Sequence, residues 1–375
     1  MHYLDYAATT PVPSAVADAM AVALTEEFGN PSAQYEAGRT ARAALERHRA
    51  AVAAALGCSP DSLYFTSCGT EGDNWAISAA LHQNRHVGRH IITTAVEHSA
   101  VLEPLKQLAQ QGCAVTYLKP DAKGRITAAQ VADALREDTA LVSVMLVNNE
   151  LGSIYPIAEI AALLKHRRTL LHTDAVQGFL KIPFTASGLG ADFITLSAHK
   201  IGGPKGIGAL YIGGKAKNPR PLLWGGGQER GLRSGTEPTA QIAGFARAAA
   251  LRCEQSDALF AHLTHCQTYA REKLAAIPDL QMLSTDNAPH ILAVSLPGYP
   301  SQNIVSDLDR QGICISAGSA CHRGKASHVL SAMGLPKRVA AGTIRISFGA
   351  ETVDEDIDAL AAALLQHRLT RFPML

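Results

Sequence analysis

Seven cysteines, at positions 58, 68, 113, 253, 266, 314 and 321, form an odd set with no C-x-x-C pair. That excludes a fully paired disulfide framework and a zinc ribbon, and it fits free thiols in a reducing compartment. No metal site is indicated. No run of about 18 uncharged apolar residues occurs, so no membrane-spanning helix is expected. The N-terminus lacks a basic region followed by an apolar leader, and Met1 to Tyr6 already reads as a strand. A cytoplasmic protein is therefore expected. An excess of one charge sign is missing too: the formal net charge of +1 offers no electrostatic ground for binding nucleic acid or an anionic membrane. The chain also has no internal repeat and no low-complexity linker.

What remains is an ordinary globular composition, 47% hydrophobic and 18% charged, over 375 residues. That length exceeds one typical core, so two domains are expected. After a helix near 15–28 and another near 33–56, the pattern alternates. Apolar runs at Leu63–Thr66, His90–Thr94, Ala114–Leu118, Leu141–Leu146, Leu170–Thr173 and Phe193–Leu196 read as strands. Helices are expected between them near 71–83, 99–111, 127–136 and 157–167. Such alternation predicts a mostly parallel sheet covered on both faces, with ligands at the carboxyl ends of its strands. The series is expected to close at Phe193–Leu196. A glycine-rich segment at 225–236 then precedes one long helical stretch at 239–276, which bridges to a second domain. There a strand at 292–296, a helix near 302–311, a cysteine loop at 314–325 and a strand at Thr343–Ser347 follow. Thr352-Val353-Asp354-Glu355 reads as a capping box for a last helix at 353–368.

The polar residues gather at the strand ends. Thr66-Ser67-Cys68-Gly69-Thr70-Glu71 joins a strand to a helix; Gly69 admits close approach and Thr70 adds a hydroxyl, a fair phosphate cradle or merely a helix cap. Glu97-His98 places an imidazole that can stack on a planar heterocycle and move protons, or simply hydrogen-bond at a strand end. Asn148-Asn149-Glu150 offers an amide to a phenolate-like oxygen. Asp174, with Gln177 three residues on, is a carboxylate that needs a cation, such as a protonated pyridine nitrogen; its bland alternative is an N-cap. Ser197-Ala198-His199-Lys200 then delivers a hydroxyl, an imidazole and an amine before the loop Gly202-Gly203-Pro204-Lys205-Gly206. A fixed, partly desolvated lysine suits a Schiff base with pyridoxal phosphate (PLP); a solvated surface lysine is the alternative. Near the C-terminus, Cys321 follows Gly318-Ser319-Ala320 and precedes Arg323 and Lys325, whose charges favour thiolate. Cys314, between Ile313 and Ile315, reads as structural, and Cys68 as a bystander.

With these stretches the chain resembles the cysteine desulfurases of the nitrogen-fixation and iron–sulfur-cluster type. They belong to the aminotransferase class V group of the PLP enzymes of fold type I. The likeness runs nearly end to end, through Tyr3-Leu4-Asp5-Tyr6-Ala7-Ala8-Thr9-Thr10, Gly29-Asn30-Pro31-Ser32, Asp174-Ala175-Val176-Gln177, Ser197-Ala198-His199-Lys200 and the 225–236 segment. It implies an α/β fold with a large PLP-binding domain at 14–250. A smaller α+β domain, from 1–13 and 251–375, would carry the cysteine loop.

The resemblance also implies roles. Lys200 would bind PLP and move the substrate Cα proton. His98 would stack on the ring, Asp174 would pair with its nitrogen, and Asn149 and Gln177 would bond substrate or ring oxygen. Gly69, Thr70, Ser197 and His199 would hold the phosphate, joined by Thr236 from a neighbouring subunit, which implies a homodimer. Asn30 and Arg345, with Asn149, would bind the substrate. Cys321 would attack the sulfur of L-cysteine, leaving alanine and a persulfide for an acceptor protein, possible ends being iron–sulfur clusters, tRNA thiolation or DNA phosphorothioation. A selenocysteine lyase, a C–S β-lyase or a non-enzymatic sulfur relay are the rival readings. Three departures from the family pattern stand out: Ala33 and Tyr35 replace its serine and histidine, Pro238 stands where asparagine is common, and the loop after Cys321 is short.

Overall fold

The computed structural model describes residues 1–217, 219–284, 287–318 and 327–374. Its strands, in chain order, begin with β1 (His2–Tyr3), β2 (Leu63–Thr66), β3 (His90–Thr94), β4 (Ala114–Leu118) and β5 (Thr139–Ser143). Next come β6 (Leu170–Asp174), β7 (Phe193–Ser197) and β8 (Gly208–Ile212). The last five are β9 (Gln281–Met282), β10 (Ile291–Ser295), β11 (Ile313–Cys314), β12 (Ser316–Ala317) and β13 (Thr343–Ser347).

Seven of them form one sheet, ordered β2-β8-β7-β6-β5-β3-β4. All neighbours are parallel except β8, which runs antiparallel to both β2 and β7. The sheet is therefore not closed by β7, as the apolar runs alone predict. Gly208–Ile212 inserts between β2 and β7, with Thr66 and Ser197 both registered to Gly208.

Every residue of β3, β5, β6 and β7 is buried. The reason is visible in pairs of neighbours pointing to opposite faces. Ile92, Val142, Leu171 and Ile194 enter one apolar cluster with Leu56 and Phe245. Their neighbours Ile91, Leu141, Leu170 and Phe193 enter another with Trp75 and Val101. Each such side chain contributes about 1.5–3 kcal/mol by burial, so the near-continuous apolar runs are what a doubly covered sheet requires.

Local signals set the helix ends. The helix Glu36–Leu56 stops at Gly57, whose φ of 71° is the left-handed conformation glycine takes without strain. The helix Ala128–Ala134 starts with a capping box in which Thr127 and Gln130 bond each other's backbone N–H. The box expected at Thr352 forms differently: Thr352 Oγ1 accepts from Gly349 N–H, while Asp356 reaches back to Val353 N–H. The long stretch at 239–276 is two helices, Thr239–Glu254 and Ser256–Ala275, broken at Gln255.

A second sheet, β12-β13-β10-β9, is antiparallel throughout. Its core joins Leu4 to Leu263, Cys266, Leu292, Ile346 and Leu360. The N-terminus takes part, because β1 runs parallel with β11, Tyr3 facing Cys314. Beyond β1 the chain crosses back to the large sheet, where Thr10 donates to the His199 carbonyl through both N–H and hydroxyl. That crossing carries Ala7 and Ala8 to the end of β7.

Candidate active site

The carboxyl ends of β2, β3, β5, β6 and β7 deliver the site. At β2, Cys68 precedes the helix Gly69–Gln83 without a side-chain cap. The first N–H groups and the positive end of that helix thus stay available to an anion. A Cβ on Gly69 would lie 2.9 Å from Val176 Cγ2 and 3.8 Å from Ser197 Cβ, so glycine lets β2, β6 and β7 converge here. Thr70 is exposed at the same helix start. Ser197 Oγ is buried and has no hydrogen-bond partner in the protein. A buried orphan hydroxyl beside an uncapped helix start fits a phosphate group. Glu71, in the first turn, is an anion that would oppose one. Burial favours its protonated form, but bonds from Arg233, at 2.8 Å, and Ser67 outweigh that and hold it below the usual carboxylate range.

Asp174 ends β6, buried, with Oδ1 accepting from Val176 N–H at 2.9 Å. Burial foremost, then the Asp73 carboxylate, push it up to about 7, while His98 pulls the other way. Such an acid is short of a cation, and a pyridinium nitrogen is a fitting one. His98 caps the helix Ser99–Gln110, its Nδ1 accepting from Ala100 N–H at 3.2 Å. That bond leaves the ring proton on Nε2, and burial keeps the ring neutral by lowering its pKa. The bland and functional readings of His98 thus coexist. Its neighbour Glu97 is fully buried, takes bonds from Thr94 Oγ1 and Met145 N–H, and is pushed up to about 8 by burial.

After β5 the two asparagines separate. Asn148 is buried and structural: Nδ2 bonds Val96 O, and Oδ1 accepts from Glu150 and Leu151 N–H. Asn149 is half-buried, and its carbonyl accepts from Arg345 at 2.9 Å. Gln177 is buried, donating from Nε2 to Ala7 O at 2.9 Å. Lys200 ends a short helical turn after β7, and its Nζ donates to Ala7 O and Ala8 O, each at 2.7 Å. His199 bonds Thr9 Oγ1 at 3.2 Å. Burial, then the charges of Lys200, Lys181 and Lys205, lower its pKa to about 4, so it is neutral at physiological pH.

Arg345, on β13, faces these groups from the second sheet. Its Nη2 bonds Asp5 Oδ1 at 2.8 Å and Ser316 Oγ at 3.0 Å, while its Nε is buried without a partner. The guanidinium is thus held by Asp5 with donor capacity to spare, which suits a carboxylate ligand. Asp5, unassigned by motif, is the residue that aims it.

Two expected residues are not brought in. Asn30 is exposed and spends Oδ1 on Ser32 N–H within its own loop. Thr236 is exposed in the glycine-rich segment. Among the described residues, no hydrogen bond joins either to Lys200, Asp174 or Arg345. Cys321, together with Arg323 and Lys325, lies outside the described residues. The described flanks of its loop are anchored: Gly318 N–H bonds Thr343 O, Ser327 Oγ bonds Glu150, and His328 Nε2 bonds Glu97 O at 2.9 Å. A further pairing escaped the sequence reading. Glu229, from the glycine-rich segment, forms a buried bidentate ion pair with Arg49 at 2.7 and 2.8 Å. It also accepts from Phe65 N–H on β2 at 2.8 Å.

Comparison with known proteins agrees with this geometry. A family model described as aminotransferase class-V matches residues 2–360. The chain is 40% identical over 360 residues to a protein named cysteine desulfurase IscS from Methanosarcina thermophila, covering 95% of this chain and 89% of that one. A solved structure titled NifS-like protein superposes with a TM-score of 0.92 at 36% identity, covering 98% of this chain and 99% of the other. Another, SspA in complex with cysteine, gives 0.82 at 35% identity, covering 94% and 100%. The chain belongs to the aminotransferase class-V family.

Proposed function

We propose that this chain is a PLP-dependent cysteine desulfurase, converting L-cysteine to L-alanine and passing the sulfur through Cys321. The observation that carries it is the convergence at one sheet edge of a cation-seeking acid, Asp174, an orphan hydroxyl, Ser197, and Lys200. The names of the similar proteins add the substrate. PLP fits because each of its polar ends meets a group suited to it: the phosphate meets Ser197, Gly69, Thr70 and the uncapped helix start, and the ring nitrogen meets Asp174. Bound there, PLP supplies an electron sink for charge developing at the substrate Cα.

The protein's own residues do the rest. Lys200 Nζ, held by two carbonyls, is within the site as an amine that takes or returns the Cα proton. Neutral His98 would stack on the ring and offer Nε2–H. Arg345, aimed by Asp5, holds the substrate carboxylate. The Cys321 thiolate attacks the substrate sulfur; the S–S bond forms as the Cβ–S bond breaks, and that electron pair passes to carbon. Anchoring of Gly318, Ser327 and His328 beside Arg345 and His98 supports delivery of Cys321 from the segment between them.

The division into a large domain at 14–250 and a small one from 1–13 and 251–375 belongs to the same reading, supported by the apolar cluster that joins Leu4 to residues 259–364. So does a homodimer. Asn30 and Thr236 are exposed and make no hydrogen bond to Lys200, Asp174 or Arg345 among the described residues, and Phe28, Tyr35, Leu223 and Trp224, near them in sequence, are large exposed apolar side chains. A sulfur-acceptor protein and a cytoplasmic location complete the reading. Anaerobic incubation with L-cysteine is expected to yield alanine and a persulfide on Cys321. Alanine at an undiminished rate from C321S would overturn the sulfur route, and pyruvate in place of alanine would indicate a β-eliminating lyase.

A further inference from the structure

Behind Lys200 the hydrogen bonds form one unbroken chain. Lys200 Nζ and Gln177 Nε2 share the Ala7 carbonyl, at 2.7 and 2.9 Å. Gln177 Oε1 in turn accepts from Lys181 Nζ at 3.1 Å. As an ammonium, lysine has no acceptor, and the contact observed here is Nζ–H donating to the oxygen side of the amide. That obliges the NH2 side to face Ala7 and the site, and one of its two hydrogens remains for a ligand.

Lys181 is an unusual residue to find there for support alone. Its neighbours Phe179, Leu180 and Ile182 are apolar. Burial lowers its pKa well below the usual value, and the charges of Lys200, Arg252 and Arg345 add to this. The imidazole of His290, fully buried and next to the Gln177 backbone, acts on it as well. Among the described residues no ion pair joins Lys181 to a carboxylate, and the charges that act on it most are cations. Lys181, Lys200, Arg252 and His290 border a cavity of about 20 Å³, room for a single water. A half-buried amine without a paired acid costs stability, so its presence calls for another return.

We propose that Lys181 is a positioning residue: by bonding Gln177 Oε1 it fixes the amide so that its NH2 serves both the Ala7 carbonyl that docks Lys200 and the ring oxygen of PLP. The proposal rests on the PLP reading above. Without Lys181, Oε1 loses its donor and the Ala7 carbonyl alone holds the orientation, so the ring oxygen loses a dependable donor.

The test compares wild type, K181M and K181R as holoenzymes and after cofactor removal. Methionine keeps the stem and removes the donor; arginine restores a donor. The cofactor-free K181M chain is expected to melt at or above the wild-type temperature, since a half-buried amine without a paired acid has gone. Its PLP is expected to dissociate roughly tenfold faster on dialysis, the fold-change a lost hydrogen bond to a charged group brings. The pH midpoint of the cofactor's visible absorption is expected to move up by about half a unit, because a fixed donor to the ring oxygen is lost. K181R is expected to recover both within about twofold. K181M with wild-type PLP retention and midpoint would overturn the proposal, as would loss of melting temperature and retention together with no recovery in K181R. A wild-type chain that takes up no PLP would instead overturn the cofactor reading, so the two failures are distinguishable.

Discussion

Asp174, Asp73 and Glu97 are three buried acids under one site, raised by burial to about 7, 8 and 8. A carboxylic acid whose folded pKa lies above its unfolded value binds more protons when folded, so stability falls as pH rises through that interval. His172 and His199, both lowered to about 4 by burial, act in the opposite sense, but only below the unfolded histidine value of 6.5. Between about pH 6.5 and 8 these histidines no longer contribute, and of the groups described the lowered Lys181 opposes the acids, one amine against three carboxyls. Cofactor-free protein is therefore expected to lose melting temperature across that window, and D174N to lose less. Bound PLP, by giving Asp174 a cation, is expected to flatten the same curve. A holo curve falling as steeply as the apo curve would count against the pairing of Asp174 with the ring nitrogen. The individual residues were legible from the sequence in proportion to their motifs. Lys200, Asp174 and His98 stand at strand ends where polar residues break apolar runs. Lys181 carries no such mark; its only signal is its spacing of four from Gln177, and a lysine among apolar residues reads as solvated until its burial is seen.

At the scale of elements, six strands of the large sheet could be read from apolar runs, whereas β8 could not. Gly208-Ala209-Leu210-Tyr211-Ile212 follows directly on the glycine-dense loop after Lys200, so it reads as the end of that loop. Nothing in a run's periodicity states its direction, and antiparallel insertion between β2 and β7 is a tertiary fact. The same holds for the glycine-rich segment, which reads as a flexible separator and instead carries Glu229 into the core. Glu229 ties the helix Glu36–Leu56, through Arg49, to the Phe65 N–H of β2. Removing one partner of a buried pair leaves the other charge uncompensated. E229A is expected to destabilise the protein by about 3–5 kcal/mol in chemical denaturation. A joint replacement of Arg49 and Glu229 by leucine is expected to cost much less, since it strands no charge.

For the whole molecule, the distribution of expected site residues matters more than any one of them. Lys200, His98, Asp174 and Arg345 gather within one chain, while Asn30 and Thr236 are exposed and not hydrogen-bonded to them among the described residues. If both complete a neighbour's site, T236A and K200A homodimers are each impaired, but a mixed dimer holds one site with neither change. Unfolding and refolding the two variants together is expected to restore about a quarter of wild-type desulfurase activity by random pairing, half of it when only mixed dimers are isolated. Activity no greater than the average of the two separate variants would place Thr236 outside the partner's site.

The insertion of β8 also sets an order of events during synthesis. Strand β2, which leads into the phosphate turn, has β8 as its only sheet neighbour among the described strands, and β1 pairs only with β11. Both therefore leave the ribosome long before the segments that will hold them. The parallel block from β3 to β7 can assemble while the nascent chain is still growing, but the cradle around Gly69 cannot be closed until Ile212 has emerged. The Ala7 and Ala8 carbonyls wait longer still, for Ile313 and Cys314. Ligand capture is thereby deferred to a nearly finished polypeptide, and a translation product truncated before Gly208 has a lysine in place but nowhere to hold what it binds.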